Sequence, residues 1–189
     1  SKWKMTTRDI SFLRAYTLFN MLIRIPTRND ASNMKFISPD DYSDLTLEDK
    51  KKNNFLVGTG DPDEGEYEDL RFIYNEYKTS ANYGEKIIPL DAQLSKIMKL
   101  YLHLLRFDNE GDNIFPMTRN AISQLLTKTS VKFTNPPKKI SSTMIAKIYL
   151  SDKYGSIKDE MEKDAKARGH SIKTQQSIYV KKNILKKDM

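Results

Sequence analysis

Apolar side chains at Ile10, Leu13, Leu18, Leu22 and Ile25 recur at roughly helical spacing, and Pro26 closes the run. The pattern predicts a helix over residues 7–25. The segment "NMKFIS" then predicts a short strand, and "NFLVG" and "RFIYNEYK" alternate as strands do. Between the first two lies "DDYSDLTLEDKKKN", whose polarity and lysine run at Lys50–Lys52 predict a solvated loop. Between the second and third lies the acidic "GDPDEGEYEDL", read as a flexible hairpin loop. "TSANYGE" marks a turn and "KIIPL" a further strand.

The second half reads as helices. Leu90, Leu94, Ile97, Met98, Tyr101, Leu102 and Leu105 fall on one stripe, with Asp91 placed to support the first turn and His103 off the stripe, on the surface. Thr118 is a candidate N-cap for the next helix, and "TNPPKK" breaks the chain after it. Helices are predicted over residues 140–154 and 156–168, the latter closed by Gly169, and a last one over residues 173–187. The expected fold is α+β: mainly helical, with a small three- to four-stranded antiparallel sheet.

Composition narrows the chemistry. The 189 residues suffice for one full core and form one expected domain, residues 1–189, with residues 180–189 a basic tail. Because the chain opens almost inside a helix, it is expected to be a piece of a longer protein. Cysteine is absent and histidine occurs twice, which excludes disulfides, thiol nucleophiles and cysteine zinc sites and makes an imidazole zinc site improbable. No apolar run approaches a membrane span and no leader opens the chain, so an intracellular protein with no membrane partner is expected. The acidic stretch lacks the ligand spacing of a calcium loop. A net charge of +7 points to a polyanionic partner, of which nucleic acid is the common one.

Three segments carry candidate chemistry. "IPTRNDASNMKF" places Arg28 after a helix-ending proline, where its guanidinium either pairs with a carboxylate such as Asp30 or grips a phosphate. "NEYKTSANYGE" places Lys78 where a hairpin turns. "RGHSIKTQQSIYVKK" sets His170 nine residues before Tyr179.

Taken in this order, the segments resemble the catalytic domain of the tyrosine recombinases (phage-type integrases), most closely the branch of large DNA viruses and virophages. "RGHSIKTQQSIY" is similar to the family's Leu-Gly-His-Ser…Tyr box, which makes His170 the late active-site histidine and Tyr179 the nucleophile. "PTRNDASNMKF" is similar to the box of the first catalytic arginine, with Arg28 in register and Thr27 the lesser choice. "FIYNEYKT" resembles the β-hairpin box and gives Lys78 as the catalytic lysine.

"STMIAKIYLS" resembles the His-x-x-Arg-His-x-Tyr-x-Ser box, but Thr143 stands at its histidine and Ala146 at its second arginine. Lys147 lies about a hundred degrees round the helix and does not substitute. The resemblance implies a DNA strand transferase working through a 3′-phosphotyrosyl intermediate, with no cofactor and no metal. It further implies double-stranded DNA as partner, a tetramer on synapsed sites, and an upstream core-binding domain. The setting it implies is a virus-infected host cell. Thr143, Lys147 and Lys173 are expected to contact the DNA. With Ala146 in place of an arginine, the chain is expected to bind DNA and to cleave it slowly or not at all. A type IB topoisomerase and a DNA-binding protein with a decayed site are the alternatives.

Overall fold

The computed structural model describes residues 5–61, 66–105, 113–167, 169, 171 and 173. It falls into two compact units, Ser1–Ala146 and Lys147–Met189. The architecture is α+β. Helix α1 (Thr7–Arg24) begins at a capping box, in which the Thr6 side chain accepts from the Asp9 amide and the Asp9 carboxylate accepts from the Thr6 amide. It ends one residue before the proline-preceding Ile25. Strand β1 (Lys35–Ile37) follows, then α2 (Pro39–Asp44), α3 (Leu47–Lys52), β2 (Phe55–Asp61) and β3 (Glu66–Tyr74). A single helical turn, α4 (Ser80–Tyr83), precedes β4 (Lys86–Pro89), and α5 (Ala92–Leu105), α6 (Arg119–Phe133) and α7 (Ser142–Ala167) complete the described chain.

The four strands form one sheet in the order β1-β2-β3-β4. The hairpins β2–β3 and β3–β4 are antiparallel, whereas β1 runs parallel to β2. The sheet is therefore mixed rather than wholly antiparallel. A parallel neighbour requires a crossover, and the "DDYSDLTLEDKKKN" segment supplies it. That segment is not a loop. Ser38 and Thr46 each cap a short helix by accepting from the amide three residues on, at 3.1 and 3.2 Å, and Lys50–Lys52 form the last turn of α3.

The acidic segment also departs from its reading as a hairpin loop. Gly60 and Asp61 belong to β2 and Glu66–Leu70 to β3, which leaves only residues 62–65 outside the description. A bulge opposite Gly58 lets these residues pair. Val57 faces Arg71 and Thr59 faces Glu68, so β3 carries one extra residue, and Asp69 takes the left-handed φ of 51°. The bulge resets the period-2 alternation, so Tyr67 and Leu70 both join the main core.

Both faces of the sheet are covered. Leu56, Phe72 and Tyr74 point into a core shared with Leu18, Met21 and Leu22 of α1, Met98 and Leu102 of α5, and Ile122 and Leu126 of α6. Their alternates Phe55, Val57 and Ile73 form a second cluster with Ile37 under Tyr42 and Leu45. Each fully buried side chain of this size contributes about 1.5–3 kcal/mol. The α5 stripe is buried as its spacing predicts, Leu94 N–H donates to Asp91 at 2.7 Å, and His103 is exposed.

In α7 the structure joins two predicted helices into one. Gly155 lies in its interior, since a lone glycine weakens a helix without stopping it. Gly169 takes a φ of 72° and its amide donates to the Lys166 carbonyl at 3.0 Å, as expected of a residue closing a helix. The predicted last helix and the tail over residues 180–189 lie outside the described residues, except for Lys173. Among the described residues no helix is long and apolar enough to cross a membrane.

Candidate active site

The loop leaving α1 and the loop leaving β3 meet beside the sheet and enclose a cavity of about 210 Å³. Pro26, Thr27, Arg28 and Asp30 line it from the first loop, Tyr74, Tyr77, Lys78 and Thr79 from the second, and Lys86 from the start of β4. Arg28 and Lys78, far apart in sequence, therefore share one cavity. Both are exposed side chains, and among the described residues neither makes an ion pair.

The local sequence explains how each loop is held. Pro26 stops α1 and turns the chain, so Arg28 follows at once on a short rigid connection. On the other side β3 ends at Tyr74, one residue before a polar hub takes over its backbone groups. The hub is Asn54, 2% exposed and immediately before β2. Its side-chain oxygen accepts from the Asn75 and Glu76 amides at 2.8 Å each, and its side-chain nitrogen donates to the Asp30 and Glu76 carbonyls at 2.8 Å each. One buried amide thus ties the Arg28 loop to the Lys78 loop, with its donors and acceptors in use on both sides.

Arg119, the first residue of α6, makes the second tie. Its guanidinium donates to both Glu76 oxygens at 2.8 Å and stands 3.8 Å from the Asp30 carboxylate. The Arg119 carbonyl accepts from the Asn29 side chain at 2.9 Å, and Ser32 Oγ donates to the Met117 carbonyl at 2.8 Å. The arginine within ion-pair distance of Asp30 is therefore Arg119, while Arg28 acts on the same carboxylate only through its charge at longer range. Burial pushes the Asp30 carboxyl up, while Arg119 and the Arg28 amide pull it back.

Electrostatically the cavity favours an anion. Three cationic side chains line it against a single carboxylate, already engaged by Arg119. Lys86 stacks its ammonium 4.1 Å from the centre of the Tyr77 ring, and Tyr77 Oη donates to the Gly84 carbonyl at 2.7 Å. The Tyr74 phenol is fully buried and its pKa is raised by burial, an effect only partly offset by the Thr27 hydroxyl beside it. The ring forms a buried wall of the cavity. Among the described residues no group of three or more His, Asp or Glu side chains is placed to hold a metal ion.

The remaining sequence candidates stand elsewhere or beyond description. Thr143 is exposed and Ala146 half-buried on α7, one on each side of Ile145, which packs into the main core. Neither lines the cavity. Lys147 and Lys173 are exposed residues of the second unit. His170 and Tyr179 lie outside the described residues.

Sequence reasoning missed Asn54, Lys86 and Arg119. Asn54 carried a signal, a polar residue directly against the apolar run "FLVG". Arg119 carried none, because its partners Asp30 and Glu76 belong to distant segments. Comparison with protein-family profiles, with curated proteins and with solved structures gave no match.

Proposed function

We propose that the chain is the catalytic domain of a DNA strand transferase of the tyrosine recombinase type, with Arg28 and Lys78 acting on one phosphate. The observation that carries this reading is the shared cavity. A guanidinium and an ammonium that form no ion pair among the described residues, brought by two loops distant in sequence and tied together by Asn54, line one hollow whose single carboxylate is engaged by Arg119.

In this reading the Tyr179 phenolic oxygen forms a bond to the scissile phosphorus, losing its proton as it attacks, and the bond from phosphorus to the 5′ oxygen breaks. Lys78 donates a proton to that leaving oxygen. Arg28 and His170 donate hydrogen bonds to the non-bridging oxygens, where negative charge builds. The phosphotyrosyl ester conserves the bond for a second DNA end to re-form. Double-stranded DNA is the substrate, and pairing of two sites in a tetramer would permit exchange rather than relaxation.

In the same reading Ala146 is a missing donor, a role that rests on the sequence resemblance, since Ala146 does not line the cavity. Loss of one preorganised donor to a developing oxyanion typically costs on the order of 10²–10³ in rate. A nicked suicide duplex that traps the covalent adduct tests this directly. The Ala146→Arg protein should accumulate adduct at least a hundredfold faster than the present chain, and Tyr179→Phe should abolish it. No adduct in Ala146→Arg, despite DNA binding, would overturn the catalytic reading in favour of a DNA-binding protein with a decayed site, which Ala146 by itself also favours.

A further inference from the structure

Near the N-terminal end of α1, a second cleft of about 310 Å³ opens between α1 and α6. Arg8 and Phe12 line it from α1, and Lys128, Thr129 and Lys132 line it from α6. Among the described residues no carboxylate lines it. The Arg8 guanidinium lies 5.6 Å and the Lys132 ammonium 5.4 Å from the centre of the same Phe12 ring. Lys128 is one turn from Lys132 on the same face of α6.

Three like charges are thus gathered with no ion-pair partner among the described residues. The nearest acid in sequence, Asp9, accepts from Thr6 at 2.9 and 2.7 Å and acts on Arg8 through its charge without forming an ion pair. Arg8, Lys128 and Lys132 make no ion pair with any described residue. Gathered cations of this kind are relieved by an anion.

The form of the cleft selects the anion. Its cations are exposed and spread over two helices, which suits an extended charged backbone better than a small enclosed ligand. Phe133 stands beside them, 72% exposed and edge-on to Phe12 at 6.1 Å. One exposed ring is too little apolar surface for insertion into a bilayer. Arg8 also stands well away from the cavity described above. The helix between Arg8 and Arg24 is about 24 Å long at 1.5 Å per residue, less than the ~34 Å of one duplex turn.

We propose that this cleft grips the phosphate backbone of duplex DNA, as an anchorage separate from the Arg28–Lys78 cavity. The inference shares with the preceding reading its DNA partner but not its chemistry.

The test is DNA affinity of the full chain for a duplex of about 30 base pairs, measured by anisotropy across a salt series. Lys128→Gln/Lys132→Gln should lower affinity at least tenfold near 0.1 M salt. It should also flatten the slope of log K against log salt by about 2, roughly one for each phosphate no longer neutralised. Lys51→Gln/Lys96→Gln removes the same charge from exposed lysines elsewhere and should leave the slope unchanged.

Equal effects of the two pairs would overturn the proposal, since net charge alone would then explain the weakening. So would an unchanged slope in Lys128→Gln/Lys132→Gln, with DNA binding otherwise intact. The same holds if that pair weakened binding only to phosphatidylserine vesicles. If the unmodified chain had no salt-dependent DNA affinity, this proposal and the DNA partner of the preceding reading would fall together. A flattened slope without any covalent adduct in Ala146→Arg would remove only the catalytic reading.

Discussion

Asn54 satisfies four backbone groups from two loops with one buried amide. An alanine there strands the Asn75 and Glu76 amides and the Asp30 and Glu76 carbonyls together. Buried groups left unpaired cost about 1–3 kcal/mol each, and water entering from an open cleft that Asn54 lines with Ser32 and Glu76 recovers part of it. Asn54→Ala is therefore expected to destabilise the fold by roughly 2–4 kcal/mol in urea titration, with weaker anion binding in the Arg28–Lys78 cavity. A change below about 0.5 kcal/mol would show that the loops are held by other interactions. A second residue sets a pH dependence. The Thr6 hydroxyl, and then the Thr6 amide, hold the Asp9 carboxyl below its ordinary value of 3.8. A carboxyl depressed in the folded state adds stability that is present above the unfolded value and lost as pH falls through the folded one. The gap in unfolding midpoint between the unmodified chain and Asp9→Ala should thus be constant at neutral pH and close below about pH 4.

At the scale of elements, glycines separate close packing from open space. A Cβ on Gly60 would sit 2.5 Å from the Glu66 carbonyl oxygen and 2.6 Å from the Tyr67 ring. Gly60→Ala must push β2 from β3, at a cost of about 1–3 kcal/mol by thermal or urea unfolding. Gly155 in α7 meets nothing within 4 Å, so Gly155→Ala should increase helicity by circular dichroism, favouring that stretch of helix locally by about 0.5–1 kcal/mol while leaving the main urea transition in place. The same contrast shows what was legible in the sequence. Helix α1 follows from apolar spacing and its closing Pro26, α5 from its apolar stripe and Asp91, and β2 and β3 from alternation. The bulge at Asp69 was hidden because a charged residue in the left-handed region leaves no hydrophobic mark, and it lets an acidic segment read as loop belong to β3. The helices α2 and α3 bury none of their own residues, so no apolar stripe announced them. Arg28 and Lys78 were legible as residues from their positions after a helix-ending proline and at a hairpin. Their convergence depends on Asn54 and Arg119, whose hydrogen bonds span distant segments and leave no local pattern.

At the scale of the whole molecule, the buried apolar residues are unevenly divided between the two units. Among the described residues every one lies at or before Ile145 except Ala165. The core of Ser1–Ala146 joins α1, α5, α6 and the sheet, with Ile145 its last contribution. Cooperative unfolding follows buried apolar area, so it should reside almost wholly in that unit. A chain ending at Lys153 keeps Ile145 within a helix and discards the rest of α7. It is expected to unfold in urea as one transition, with a midpoint within about 0.5 M of the full chain and a smaller m-value in proportion to the surface removed. It also keeps the Arg28–Lys78 cavity and the Arg8–Lys132 cleft while removing His170 and Tyr179. Salt-dependent DNA affinity should accordingly survive in part, and covalent adduct should vanish even with Ala146→Arg. A truncated chain without a cooperative transition would show that the second unit completes the fold. One that kept the transition but had no DNA affinity would move the anion-binding surface out of the first unit and into residues beyond it.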